Sequence, residues 1–263
     1  MDAHDRKARR AKLTLIGLGT LVGAALVGGG VTAFLVLGGD DEAKSGSDKP
    51  SASATPSPSA SADKGLWNKK MTPAKGQKVK LEVPTGQKNG LSTGFPRTAF
   101  GAISAAVYFH EEYAWLDDQR AREQLEVITS PDATGYIDEQ ISEVRKLREG
   151  AGLPPSGGAP ANLTVTTTVE AVRAKSILAP DVARGDVVHV WLSFDRYATG
   201  PEGGADDNPI KGDTSDLVLK WQNGGWKLTN EAKYLSKRTN PVAYDPNSPY
   251  AWQDGWWQVR HAD

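Results

Sequence analysis

Apolar and polar positions alternate in three different ways along this chain. From Leu13 to Gly39 they do not alternate at all: the stretch carries no charged residue and is built mainly from Leu, Val, Ala, Ile and Gly. A helix needs roughly 20 residues to cross a hydrocarbon core of about 30 Å. Residues 13–39 are therefore predicted to be a transmembrane helix, with tilt absorbing the excess length. Further on, a helical period takes over. Ala99, Phe100, Ala102, Ile103, Ala105, Ala106, Val107 and Phe109 are apolar on almost every side, which predicts a helix starting near Thr98 and buried all round. A second helix is predicted from Asp117, as N-cap, to Ile128. A third is predicted from Ser130-Pro131, a cap residue followed by a proline suited to the first helical position. Its stripe is Ile137, Ile141, Val144 and Leu147 or Arg148, and Gly150 and Gly152 stop it. The segment PPSGGAP at 154–160 reads as a loop.

After that loop the period falls to two. Leu163, Val165, Thr167, Val169 and Ala171 alternate with threonines and Glu170, and Val188, Val190, Leu192 and Phe194 alternate with His189, Trp191, Ser193 and Asp195. A polar loop at 199–213 follows, and two more strands flank Asn223-Gly224-Gly225, a hairpin signal. A turn at Asn223-Gly224 sets Trp221 against Trp226, Leu219 against Leu228 and Lys220 against Lys227. A turn at Gly224-Gly225 relieves the lysine pair, so both registers stay open. Helices first and strands afterwards predict an α+β domain over 98–263, its helices packed on one face of a twisted four-stranded antiparallel sheet. If the helices cover Val188, Val190, Leu192 and Phe194, then His189, Trp191, Asp195 and Tyr197 point the other way. Trp and Tyr are enriched at interface hot spots, which makes His189, Trp191 and Tyr197 candidate interface residues. The competing arrangement has Trp252 or Trp256 of the aromatic tail, 234–263, folded over Trp191.

Charge then orients the chain. Arg6, Lys7, Arg9, Arg10 and Lys12 precede the apolar run, and Asp40, Asp41 and Glu42 follow it. Basic residues are retained in the cytoplasm, so 1–12 is predicted to be a cytoplasmic tail and everything after the span to be extracytoplasmic. A cleaved signal peptide fits less well, since its core is shorter, about 7–15 residues, and ends in small residues. Within the span, Gly19 and Gly23 have the small-xxx-small spacing that lets helices pack closely and are candidate self-association positions. Residues 40–64, rich in Ser, Ala and Pro, form a linker whose reach as a coil is on the order of 25 Å. An extended basic arm at 65–97 follows, with seven aromatic or basic residues from Trp67 to Lys88 opposed by Glu82 alone.

Composition excludes several chemistries. The chain of 263 residues has no cysteine, which removes thiol nucleophiles, thiolate metal sites and disulfides. Basic and acidic side chains nearly balance beyond residue 65, so no field steers a polyanion, and no direct sequence-specific nucleic-acid binding is expected. His110 and His189 have no second histidine at metal spacing, Asp206-Asp207-Asn208 lacks the glycine and distal glutamate of a calcium loop, and the GK[ST] phosphate-loop pattern is missing. No catalytic residue, metal or cofactor is expected. The rival chemistry is a pocket lined by Tyr108, His110, Tyr113 and Asp195, although Asp195 shares its strand face with Trp191.

The order of helices followed by a sheet ending in Gly-Gly-Trp-Lys-Leu resembles the cone-shaped fold of nuclear transport factor two, over about 95–232. A basic tail, one membrane helix, a spacer and such an outer domain resemble the bitopic inner-membrane subunit of type IV secretion and conjugation machines. GFPRTAFGAISAAVYF (94–109) is similar to the opening helix of actinobacterial proteins of that type. The resemblance implies a non-enzymatic scaffold that oligomerises and recruits other membrane subunits. The alternatives are a membrane-anchored accessory protein of wall assembly or lipid uptake, and a tethered isomerase-like or dehydratase-like enzyme, since the same cone can hold a catalytic pocket.

Overall fold

The structure, a computed structural model, describes residues 75–161, 163–178, 186–200, 206 and 209–261. The predicted span 13–39 with Gly19 and Gly23, the linker and the start of the arm lie outside the described residues. Among the described residues no helix is long and apolar enough to cross a membrane.

The helical layer follows the sequence pattern closely. Helix α1, Ala99–Glu111, is capped by Thr98, whose Oγ1 accepts the Gly101 amide at 3.0 Å. Ala102, Ala105 and Ala106 are fully buried, and their small side chains let the helix lie close to the sheet. Gly101 is required at its place, because a Cβ there would collide with the Pro96 carbonyl. That same carbonyl accepts the indole N–H of Trp226 at 2.8 Å. Helix α2, Asp118–Ile128, is capped by Asp117, which accepts the Arg120 amide at 2.9 Å. Helix α3, Tyr136–Gly150, starts later than Ser130-Pro131 suggests. Ser130 is engaged elsewhere: its amide donates to Leu228 O at 2.8 Å and its hydroxyl to Gln222 Oε1 at 2.6 Å. With the cap residue recruited by the sheet, the helix begins instead after Gly135, whose φ is +76°.

The sheet corrects the predicted fold class. It has six strands and mixed pairing, where a four-stranded antiparallel sheet of the nuclear-transport-factor kind was expected. Strands β4 (Thr164–Ser176), β5 (Val187–Thr199), β6 (Ile210–Gln222) and β7 (Gly225–Leu228) supply the expected antiparallel run. Two short strands extend it beyond β4. Strand β8, Trp257–Arg260, pairs antiparallel with β4, and β1, Lys78–Lys80, pairs parallel with β8, giving the order β1-β8-β4-β5-β6-β7. A separate hairpin of β2, Gly86–Lys88, and β3, Leu91–Thr93, occupies the arm. The reason the pattern concealed β1 and β8 is their length: three and four residues, rich in Lys, Gln and Arg, carry almost no period.

The hairpin register follows the Asn223-Gly224 turn, both residues having positive φ (53° and 77°) as a type I′ turn demands. Trp221 and Trp226 meet edge to face at 5.4 Å. The opposed lysines are separated by partners, Lys220 bonding Glu231 at 3.0 Å and Asp132, and Lys227 bonding the Val127 carbonyl.

Helices cover one face of the sheet, where Val188, Val190, Leu192 and Phe194 join the main core. The other face is covered by residues 230–256, which include the short helices α4 (Ala232–Leu235) and α5 (Pro249–Gln253). A bulge at Glu170 redistributes β4 between these layers: Val169 and Val172 both enter the helix-side core, whereas Ala171 enters the tail side.

Candidate functional site

The sheet face predicted to meet a partner is occupied by the chain's own tail. Trp191 is 6% exposed and packs with Ala171, Ala251, Trp252 and Trp256. Trp256 is fixed by its indole N–H, which donates to the Val242 carbonyl at 2.7 Å. Of the three candidate interface residues, His189 and Trp191 are buried side by side with rings 3.7 Å apart, and Tyr197 is half-buried, its hydroxyl donating to Asp195 at 3.1 Å.

Beneath this layer lies a small charged network. His189 Nε2 stands 2.6 Å from Asp216 Oδ2, and Arg238 Nη1 reaches the same oxygen at 3.2 Å. Burial lowers the His189 pKa, and its bond to Asp216 only partly offsets this, so the imidazole is neutral and donates. Burial works against the Asp216 charge, but the bonds from His189 and Arg238 outweigh it and hold the carboxyl below its ordinary range. Arg173 continues the network, stacking on Trp191 at 4.8 Å and bonding Asp254 at 3.1 Å.

Next to these groups the tail leaves a cleft of about 380 Å³, lined by Trp191, Thr214, Asp216, Asn240, Pro241 and Trp256 among others. The cleft runs beside β6 where that strand lacks a neighbour. Along β6, strand β7 covers Leu219–Gln222, and Thr229 extends the ladder to Val218 O at 3.0 Å. Among the described residues, nothing pairs with the outer edge of β6 from Ile210 to Leu217. On this stretch the Gly212 amide is taken by Asp195 Oδ1 at 2.9 Å and the Thr214 amide by Asp213 Oδ1 at 2.8 Å, so the edge offers an extended segment chiefly C=O groups.

The second place of interest is inside the helical layer. Of the four residues in the rival pocket, the structure brings two together. His110 and Tyr113 both pack on Trp115, with ring centroids 5.2 and 4.9 Å away. Tyr108 stacks on Phe95 instead, and Asp195 is turned to the far face, accepting the Gly212 amide at 2.9 Å. The charged member of the group is Arg196, which the sequence pattern did not single out. It follows Phe194 by two residues and so shares its inward face, with its guanidinium 3.8 Å from the Trp115 ring. Its Nε donates to Thr167 Oγ1 at 2.8 Å, while Nη1 and Nη2 have no partner. The inward period of β5 was the signal that could have found it. Burial, and then the charge of Arg196, push the His110 pKa well down, so this imidazole is neutral.

Among the described residues no group of three or more His, Asp or Glu side chains could hold a metal ion. No protein-family model, curated protein or solved structure matches the chain.

Proposed function

We propose that this chain is a non-enzymatic, membrane-anchored assembly subunit of a transfer complex of the conjugation or type IV secretion kind. In this reading the 13–39 helix holds it in the membrane and packs on a second copy through Gly19 and Gly23. The outer domain then holds an extended segment of another membrane subunit along β6. The observation that carries the reading is the uncovered stretch of β6 beside a cleft floored by Trp191 and Trp256. Main-chain bonds to an added strand supply affinity without demanding a sequence, and a pocket for one or two side chains supplies selection. Two indoles at the floor favour an apolar or aromatic side chain on the incoming segment.

A photo-activated crosslinking residue placed at Thr214 or Asn240, both exposed on the cleft, tests this in living cells. The expected result is one discrete adduct with another integral membrane protein. The same group at Glu149, exposed on α3, is expected to give none. Equal labelling at all three positions, or none at Thr214 and Asn240, overturns the docking role.

A further inference from the structure

Two loops of this chain share a sequence and a backbone, and only one of them is held by its side chain. Asn89-Gly90 joins β2 to β3 and Asn223-Gly224 joins β6 to β7, each as a two-residue turn. Asn89 and Asn223 have φ of 51° and 53°, and both glycines have φ of 77°. Asparagine followed by glycine suits this turn, because both positions need positive φ. The same pair is chemically labile. Glycine has no side chain to shield its amide nitrogen from the carboxamide of the residue before it.

The first loop is pinned on both sides of the reacting bond. Nδ2 of Asn89 donates to the Glu123 carbonyl of α2 at 2.9 Å, and the Asn89 main-chain carbonyl accepts Gln124 Nε2 at 3.4 Å. The Arg120 guanidinium lies against Gly90, so close that a Cβ there would collide with it. For its carboxamide to reach the Gly90 nitrogen, Asn89 must first leave Glu123. The second loop lacks these restraints. Among the described residues Asn223 has no side-chain partner, and beyond the chain neighbours nothing lies within 4 Å of where a Gly224 Cβ would stand. Both Asn223 and Gly224 are exposed.

We propose that Asn223 is a site of spontaneous modification, converting to isoaspartate and aspartate as the folded protein ages, and that α2 keeps Asn89 from the same fate. The chemistry needs only water. The Gly224 nitrogen gives up its proton and attacks Cγ of Asn223. The side-chain nitrogen takes up a proton and leaves as ammonia, which closes a five-membered imide. Water then opens the ring: at Cγ it gives aspartate, and at the main-chain carbonyl it gives isoaspartate. In sum, one amide and one water become one carboxylic acid and one ammonia.

Isoaspartate routes the main chain through Cβ and Cγ and so adds an atom to the turn. That turn sets Trp221 against Trp226 and Leu219 against Leu228, so the product loosens the β6–β7 hairpin. The inference stands apart from the assembly role and does not depend on it.

Ageing the purified full chain in mildly alkaline buffer tests it. Trypsin releases the two loops on separate peptides, Asn89–Arg97 and Trp221–Lys227. Mass spectrometry with electron-transfer fragmentation then distinguishes asparagine, aspartate and isoaspartate, each read against a digest taken before ageing. In the folded chain Asn223 is expected to convert at least roughly threefold faster than Asn89, the margin that one side-chain hydrogen bond supplies. In denaturant, where α2 no longer holds Asn89, the two rates are expected to converge. Asn223→Gly suits the positive φ and has no side-chain amide, so it is expected to keep its melting temperature through ageing that lowers the parent's. Four results overturn the proposal. They are conversion of Asn89 as fast as Asn223 in the folded chain, no conversion of Asn223 in the folded chain while the denatured chain converts, the same rate ratio folded and denatured, and an equal fall in melting temperature for Asn223→Gly and the parent.

Discussion

The carboxylate of Glu111 accepts the amide of Val169 at 2.6 Å, at the point where β4 slips its register. Val169 lies beside the bulge at Glu170, and the last residue of α1 supplies the acceptor for its amide. The other face of the same carboxylate receives His261 Nε2 at 2.9 Å. Glu112 does the equivalent for the arm, accepting the Ser92 amide at 2.6 Å and its hydroxyl at 2.7 Å. Adjacent acids at one helix end thus fix the sheet on one side and the arm hairpin on the other. Replacing Glu111 by Ala leaves a buried amide without an acceptor and is expected to cost about 1–3 kcal/mol in denaturant unfolding of the full chain. Glu111→Gln, which keeps an acceptor oxygen, is expected to recover most of that loss. Equal stability of the Ala variant and the parent would remove Glu111 from this role.

Two buried histidines set the acid response. Burial lowers the pKa of His110 and of His189, so both are neutral in the folded state, whereas the unfolded chain protonates them near pH 6.5. The unfolded state therefore binds more protons below that pH, and stability present above it is lost as the pH falls. Asp216, held below its ordinary range, contributes only under more acidic conditions, below about pH 4. The melting temperature is expected to fall steadily from pH 7 to pH 5. Each histidine contributes a slope of up to about 1.4 kcal/mol per pH unit. A His110→Gln, His189→Gln double variant is expected to flatten that fall. The same acid slope in the double variant would count against both assignments.

Trp191 offers a direct choice between an internal and an external role. Packed between Ala171 and the Trp252–Trp256 tail, it is expected on truncation to Ala to cost about 3–5 kcal/mol. The oligomeric mass at matched concentration is expected to stay the same. A variant that melts like the parent but changes mass would place the ring between chains.

The helices were legible because long periodic segments average out local accidents. Helix α1 starts next to Thr98 and Asp117 caps α2 as the sequence places them, and the Asn223-Gly224 turn has the backbone its residues require. What escaped was decided by distant partners. Ser130 reads locally as a helix cap, yet Leu228 and Gln222 recruit it. Lys78-Val79-Lys80 reads as a solvated arm, yet Val79 is 1% exposed once β8 lies beside it. Arg196 resembles any arginine on a strand. Its importance comes from which neighbours fail to bond it, and a lack of partners leaves no mark in sequence.

The orientation of the tether is tested by fusion. A reporter that functions only outside the cytoplasm is expected to be active when joined after Ala62. Changing Arg6, Lys7, Arg9, Arg10 and Lys12 together to Glu is expected to reduce or invert insertion. Activity of a cytoplasm-only reporter at Ala62 would reverse the assignment.

Strand β8 lies between β1 and β4, so the β1 edge of this sheet cannot close in the order in which the chain is made. When Lys78–Lys80 emerges, the strand it pairs with does not yet exist, and the segment must wait for Trp257–Arg260 to arrive and slot in beside it. The first strand of the chain is then among the last to lock. A nascent or truncated product lacking 257–260 would display an unsealed margin to quality-control proteases. Completion of the polypeptide is thereby registered at β1, the strand made first.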